Sequence, residues 1–171
     1  MTQNTVQLYY GMEKERTTTQ RHALGTRGVL PDGRVFYYAF SDGVQPAGPL
    51  VQAKQSGTVH DMDLAFSVAP ALGDRTVTLT IGAAAVVLDQ FKDGYMYIND
   101  GTGEGHIYRI KSHPVGASAA NVVFTLQDDD TIAEAIAAST TSQTGIVENP
   151  YKYTITWVAA AAASVSGDLL G

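Results

Sequence analysis

Three stretches of the sequence hold residues whose types and spacing could support chemistry. The first is Gly101-Thr102-Gly103-Glu104-Gly105. Glycine-rich runs bind phosphate when their backbone N–H groups and a helix N-terminus converge on the anion. This run lacks the Gly-Lys-Ser/Thr ending and leads into the alternating residues Ile107 to Lys111 rather than into a helix. It reads as a turn. The second stretch is His60-Asp61-Met62-Asp63. On a strand, His60 and Met62 would share one face and Asp61 and Asp63 the other, which splits the potential metal ligands. The third is Asp128-Asp129-Asp130. A calcium loop needs oxygen ligands at alternating positions and a closing bidentate Glu, and that spacing is missing. The triplet instead precedes Thr131-Ile132-Ala133-Glu134, which fits a capping box with Thr131 as N-cap and Glu134 reaching back. Three acids also suit the positive end of a helix dipole.

The other candidates are weaker. His22, His106 and His113 stand apart, His106 at the start of a β-type run and His113 before Pro114. There is no Gly-x-Ser-x-Gly nucleophile elbow. There is no cysteine, which excludes disulfides and thiolate metal sites. Nine tyrosines and one tryptophan could stack on sugars, but Tyr95, Tyr97 and Tyr108 fall where cross-strand packing explains them equally well. No catalytic residue, cofactor site or metal site is expected, and the chain is read as no enzyme.

The elements that would position these residues are mostly short strands. Pro31-Asp32-Gly33 is a tight turn, and Arg34 to Phe40 (RVFYYAF) predicts a strand. Gln45 to Leu50, with two prolines and a glycine, predicts a loop. Thr58 to Met62 and Asp63 to Ala69 are candidate strands. In Arg75 to Ile81, Val77, Leu79 and Ile81 alternate with three threonines, the pattern of a half-buried strand. Tyr95 to Lys111 predicts a β-hairpin, its loop supplied by the Asn99-to-Gly105 run. Val122 to Leu126 predicts another strand. Residues 131–138 predict one short helix, with Ile132, Ala135 and Ile136 as its apolar stripe, fading by Ser139. Gly145 to Glu148 leads to Asn149-Pro150, and Tyr151 to Val158 alternates as a last strand. The tail from Ala159 is weakly patterned.

The bulk numbers agree. A chain of 171 residues suits one core-forming domain. Charged residues are 16% of it, below the roughly 25% usual for soluble domains, which points to a neutral or partner-covered surface. The net charge of −6 argues against a nucleic-acid partner. Charge is uneven: Lys14, Arg16, Arg21, Arg27 and Arg34 outweigh Glu13, Glu15 and Asp32 in the first 34 residues. No run approaches the ~18 apolar residues of a membrane span, and the start has no basic region followed by an apolar one, so neither membrane insertion nor a signal peptide is expected.

The run Leu24 to Arg27 onward through Pro31-Asp32-Gly33-Arg34-Val35-Phe36-Tyr37-Tyr38-Ala39, the hairpin Asp93 to Pro114, and Glu148-Asn149-Pro150-Tyr151 resemble structural proteins of tailed bacteriophages encoded near the major capsid protein. The resemblance implies a capsid decoration or cement protein on the outer surface of the virion, made in the bacterial cytoplasm. It implies the major capsid protein as partner, self-association as a homotrimer, and no catalytic residues. The resemblance leads one to expect a further β region after the Asn-Pro-Tyr motif, where this chain has an Ala-rich tail. Other readings are another virion component, namely major coat, head-completion or tail protein, or a module binding glycans or host surfaces.

The expected architecture is therefore mainly β: a β-barrel or sandwich, jelly-roll-like, with an extended N-terminal arm (1–34), a β-rich body (35–158) and a small-residue tail (159–171). The arm's polar stretch from Met12 to Thr26 could not bury enough apolar surface alone to offset its ordering entropy; it reads either as a floppy terminus or, if ordered, as an arm held by a neighbouring subunit. Interface candidates are Tyr9, Tyr10, Lys14, Arg16, Arg21, Arg27 and Arg34.

Overall fold

The computed structural model describes residues 5–41, 51–52, 59–138 and 141–156. It is mainly β. In chain order the strands are β1 (Thr5–Gln7), β2 (Arg27–Val29), β3 (Val35–Tyr37), β4 (Phe40–Ser41), β5 (Val51–Gln52), β6 (Leu64–Phe66), β7 (Thr76–Thr80), β8 (Tyr95–Asp100), β9 (Ile107–Ser112), β10 (Asn121–Leu126), β11 (Gln143–Val147) and β12 (Lys152–Thr156). The only helical element among the described residues is one 3-10 turn, Met12–Lys14.

Six strands close into a barrel in the order β10-β7-β6-β11-β8-β9, and every neighbouring pair is antiparallel. Closure leaves no open strand edge. The inward residues come from period-2 alternation: Val77 and Leu79, Met96 and Ile98, Tyr108 and Ile110, and Val122, Phe124 and Leu126 are all buried. Their outward neighbours are polar or half-exposed, as the threonines of β7 illustrate.

The expected helix over 131–138 is not there. Residues 131–138 form irregular backbone with no helical turn. The N–H of Ile132 donates to the carbonyl of Asp74 at 2.9 Å, and that of Ile136 to the carbonyl of Pro70 at 3.0 Å. Both isoleucines are buried, against the β6–β7 connection and the tip of the β8–β9 hairpin. A helix this short carries an unfavourable nucleation term, whereas the extended path buries both isoleucines and gives their N–H groups acceptors. The acids are used elsewhere. Asp130 accepts the N–H of Arg109 at 2.8 Å, and Asp128 pairs with Lys111 at 2.6 Å. Glu134 stands 3.8 Å from His106 rather than reaching back to Thr131.

Residues 59–62 are turn and bend, not the strand expected over Thr58 to Met62. Ala83 to Leu88 is irregular, with one bridge from Val86 to Gly116. The strand β11 had no sequence counterpart. Its Gly145 lies so close to the Asp61 carbonyl and the Tyr97 ring that a Cβ would sit 2.0 Å from that oxygen, so only glycine fits the approach. The Gln45–Leu50 loop, Ser139 and the tail from Ala159 lie outside the described residues.

Candidate interaction surface

The chain from Thr5 to Ser41 builds a lobe beside the barrel. β1, β2 and β3 form a three-stranded sheet, β1 parallel to β2 and β3 antiparallel to it. The register places Val6, Gly28 and Phe36 in one row. Leu8 presses onto Gly28, where a Cβ would meet its methyl at 2.6 Å. The connection from β1 to β2 crosses this face as a strap, bordering an open cleft of about 650 Å³. Val6, Leu8 and Phe36 give it an apolar floor, and Met12, Arg16 and His22 lie along the strap. The strap is pinned through Tyr38: its hydroxyl accepts the N–H of Arg21 at 3.0 Å, and its ring meets His22 edge-on at 5.5 Å.

The seven interface candidates fall into three groups. Tyr9 and Tyr10 are 72% and 64% exposed, just past β1, where the N–H of Met12 donates to the Tyr9 carbonyl and closes the turn. Lys14 and Arg16 follow, both exposed. Arg21 and Arg34 are exposed but neutralised: Arg21 pairs with Glu15 at 3.3 Å and Arg34 with Asp32 at 2.8 Å. The N–H and guanidinium of Arg34 hold the Asp32 carboxyl below the usual carboxylate range. Arg27 lies half-buried in β2, level with Tyr37. The structure thus brings Tyr9, Tyr10, Lys14 and Arg16 onto one short turn-and-strap segment and sets the other three apart.

What holds the lobe is the barrel of the same chain. Asp93 is buried just before β8, with φ at +61°. Its carboxylate accepts from the Gln20 amide at 2.6 Å, the Leu24 N–H at 3.3 Å and the Gln127 amide at 3.4 Å. Asn149 donates to the carbonyls of Asp93 and Leu24 at 2.7 and 3.3 Å. Tyr151 stacks on Tyr37 at 5.4 Å, and its carbonyl accepts the N–H of Phe40 at 2.9 Å. The sequence reading missed this clasp. Its only signals were an Asp-Gly pair at 93–94 and the Asn-Pro-Tyr motif.

The same end of the barrel contains two buried histidines around Phe91. His60 Nδ1 accepts the N–H of Gly82 at 3.1 Å, and its ring meets Phe91 edge-on at 5.8 Å. His113 Nε2 accepts the N–H of Phe91 at 3.0 Å, Nδ1 lies 2.8 Å from the Pro114 carbonyl, and the ring packs on Phe124 at 4.8 Å. A ring nitrogen that accepts a backbone N–H carries no proton, so both imidazoles are neutral in this arrangement. Burial pushes both below the ordinary histidine range. His60 is therefore a packed core residue rather than the strand residue expected from sequence. No group of three or more His, Asp or Glu side chains among the described residues could hold a metal. No helix among them is long and apolar enough to cross a membrane.

No family model, no curated protein and no solved structure matches the chain.

Proposed function

We propose that this chain is a virion structural protein that decorates and stabilises a tailed-phage capsid, docking at junctions of major capsid protein subunits through the corner formed by Tyr9, Tyr10, Lys14 and Arg16. The observation that supports this reading is the placement of that corner: two tyrosines and two cations stand out from a lobe hydrogen-bonded to an acidic barrel. Aromatic side chains and arginine dominate the energetics of protein interfaces. The cations would steer the chain onto acidic capsid surface. A specific interface buries roughly 1,200–2,000 Å², and many copies on one lattice supply avidity, so each contact can be modest. On this reading the chain has no reaction to catalyse, and its function is spread over contact surfaces.

The test is binding to undecorated phage heads. The wild-type chain is expected to occupy them and raise their resistance to heat, because a ligand of the assembled state stabilises that state. A variant carrying Tyr9→Ala, Tyr10→Ala, Lys14→Glu and Arg16→Glu is expected to melt like the wild type and lose occupancy. Full occupancy by that variant, or decorated heads no more heat-resistant than bare ones, would overturn the proposal.

A further inference from the structure

Among the described residues, the outer side of β3 is an open strand edge. Its inner side pairs with β2. The N–H of Tyr38 donates to the Thr26 carbonyl at 2.9 Å, and the N–H of Leu30 to the Arg34 carbonyl at 2.9 Å. With Gly28 level with Phe36, the backbone groups facing β2 are those of Arg34, Phe36 and Tyr38. By the alternation of an antiparallel ladder, the N–H and C=O of Val35 and Tyr37 face the other way. Among the described residues nothing is hydrogen-bonded to them. The side chains of Val35 and Tyr37 are 39% and 47% exposed. The barrel removes its own edges by closing, but the β1-β2-β3 sheet is open, and its β3 edge can act as a template for strand addition.

We infer that the edge of β3 pairs with the same edge of a second copy of the chain, antiparallel about a two-fold axis at Phe36. Three features select that occupant. First, the edge is self-complementary. With Phe36 on the axis, Val35 stands opposite the partner's Tyr37 and Tyr37 opposite the partner's Val35. Each pair exchanges two backbone hydrogen bonds, and all the free groups of the edge find partners. Second, the side-chain pairing is favourable, because a β-branched residue opposite an aromatic one stabilises antiparallel strands. Third, no unpaired charges meet. The strand is uncharged, and the flanking Arg34 is already engaged by Asp32 at 2.8 Å. The result is a continuous six-stranded sheet across two lobes. An edge of three residues makes this a weak, reversible association. It is independent of the capsid reading and survives or fails separately.

Sedimentation of the purified chain over a rising concentration series is expected to show a monomer–dimer equilibrium. Val35→Pro removes the outward N–H, a change tolerated at the first residue of an edge strand, and is expected to abolish the dimer. Register is read by cross-linking, since the chain has no cysteine. Phe36→Cys places a thiol on the axis in a non-hydrogen-bonded pair, where Cα atoms lie about 4.5 Å apart, within disulfide reach. Under mild oxidation it is expected to yield a covalent dimer. Val35→Cys, opposite the partner's Tyr37, is expected to remain mostly uncross-linked. The cysteine pair decides the matter even if Val35→Pro does not fold. A wild-type chain that stays monomeric at every concentration, equal cross-linking by both cysteine variants, or an edge that pairs only with an unrelated extended peptide would overturn the proposal.

Discussion

Asn149 donates one side-chain amide to the backbone carbonyls of both Asp93 and Leu24, at 2.7 and 3.3 Å. A single buried group thus fastens the N-terminal lobe to the barrel and to the turn that starts β8. Removing it leaves two buried carbonyls without that donor, each costing on the order of 1–3 kcal/mol. Asn149→Leu is therefore expected to lower stability by about 2–6 kcal/mol in denaturant unfolding. Limited proteolysis should cut within residues 8–26 before the barrel is attacked. Equal protection of lobe and barrel in the variant would refute the clasp.

The two buried histidines give a pH dependence with a definite sign. Both are held below the ordinary histidine range by burial. As pH falls through about 6.5, the unfolded chain takes up protons while the folded chain does not. Their contribution to stability is full above that pH, declines below it, and levels off once the folded-state values are passed. The melting temperature should fall between pH 7 and pH 5. His113→Gln should flatten that part of the profile while lowering the plateau. A flat wild-type profile over this range would contradict the neutral-acceptor roles.

Residues 131–138 supply a test of irregular against helical structure. Ile132→Ala or Ile136→Ala should cost about 2–5 kcal/mol, the usual range for emptying a buried site. Thr131→Ala, which would cost about 1 kcal/mol as loss of a helix cap, should be nearly silent, and so should Ala135→Gly. Thermal or denaturant unfolding of the four variants separates the cases. Large losses at Thr131 and Ala135 would favour a helix.

Gly145→Ala should be among the most damaging single changes, since the added methyl would collide with the Asp61 carbonyl and the Tyr97 ring. Overpacking typically costs about 1–3 kcal/mol, and backbone on one side of the clash leaves little room to relax. Soluble yield and melting temperature measure it. Wild-type stability would contradict so close an approach of Asp61 to β11.

The parts of this fold that were legible in the sequence are those specified by neighbours along the chain. β7 and β10 were visible because one face is buried and one is not, which writes a period of two. The β8–β9 hairpin was visible because its turn chemistry is local. β11 was invisible because Thr144, Gly145 and Ile146 are all buried, so no alternation survives. The path of residues 131–138 was misread because its acceptors, Asp74 and Pro70, come from the β6–β7 connection. A capping signature cannot report a distant carbonyl. For the candidate site, the exposed segment carrying Tyr9, Tyr10, Lys14 and Arg16 was visible as composition. The clasp was not, because Asp93 and Asn149 are 56 positions apart. Nor did charge counting show that Arg21 and Arg34 are matched by their own carboxylates.

The position of Asp93 also decides how the molecule bears load. A pull on the lobe passes through Gln20 and Leu24 into Asp93, and so into the base of β8. That strand is laddered to β11 from Tyr95 to Asp100 and to β9 on its other side. The thinly paired β6, joined to β11 only at Leu64 and Ala65, lies away from this path. Tension would be spread over two ladders of the wall, and the first yielding point would be the polar clasp, which can re-form, rather than the apolar interior.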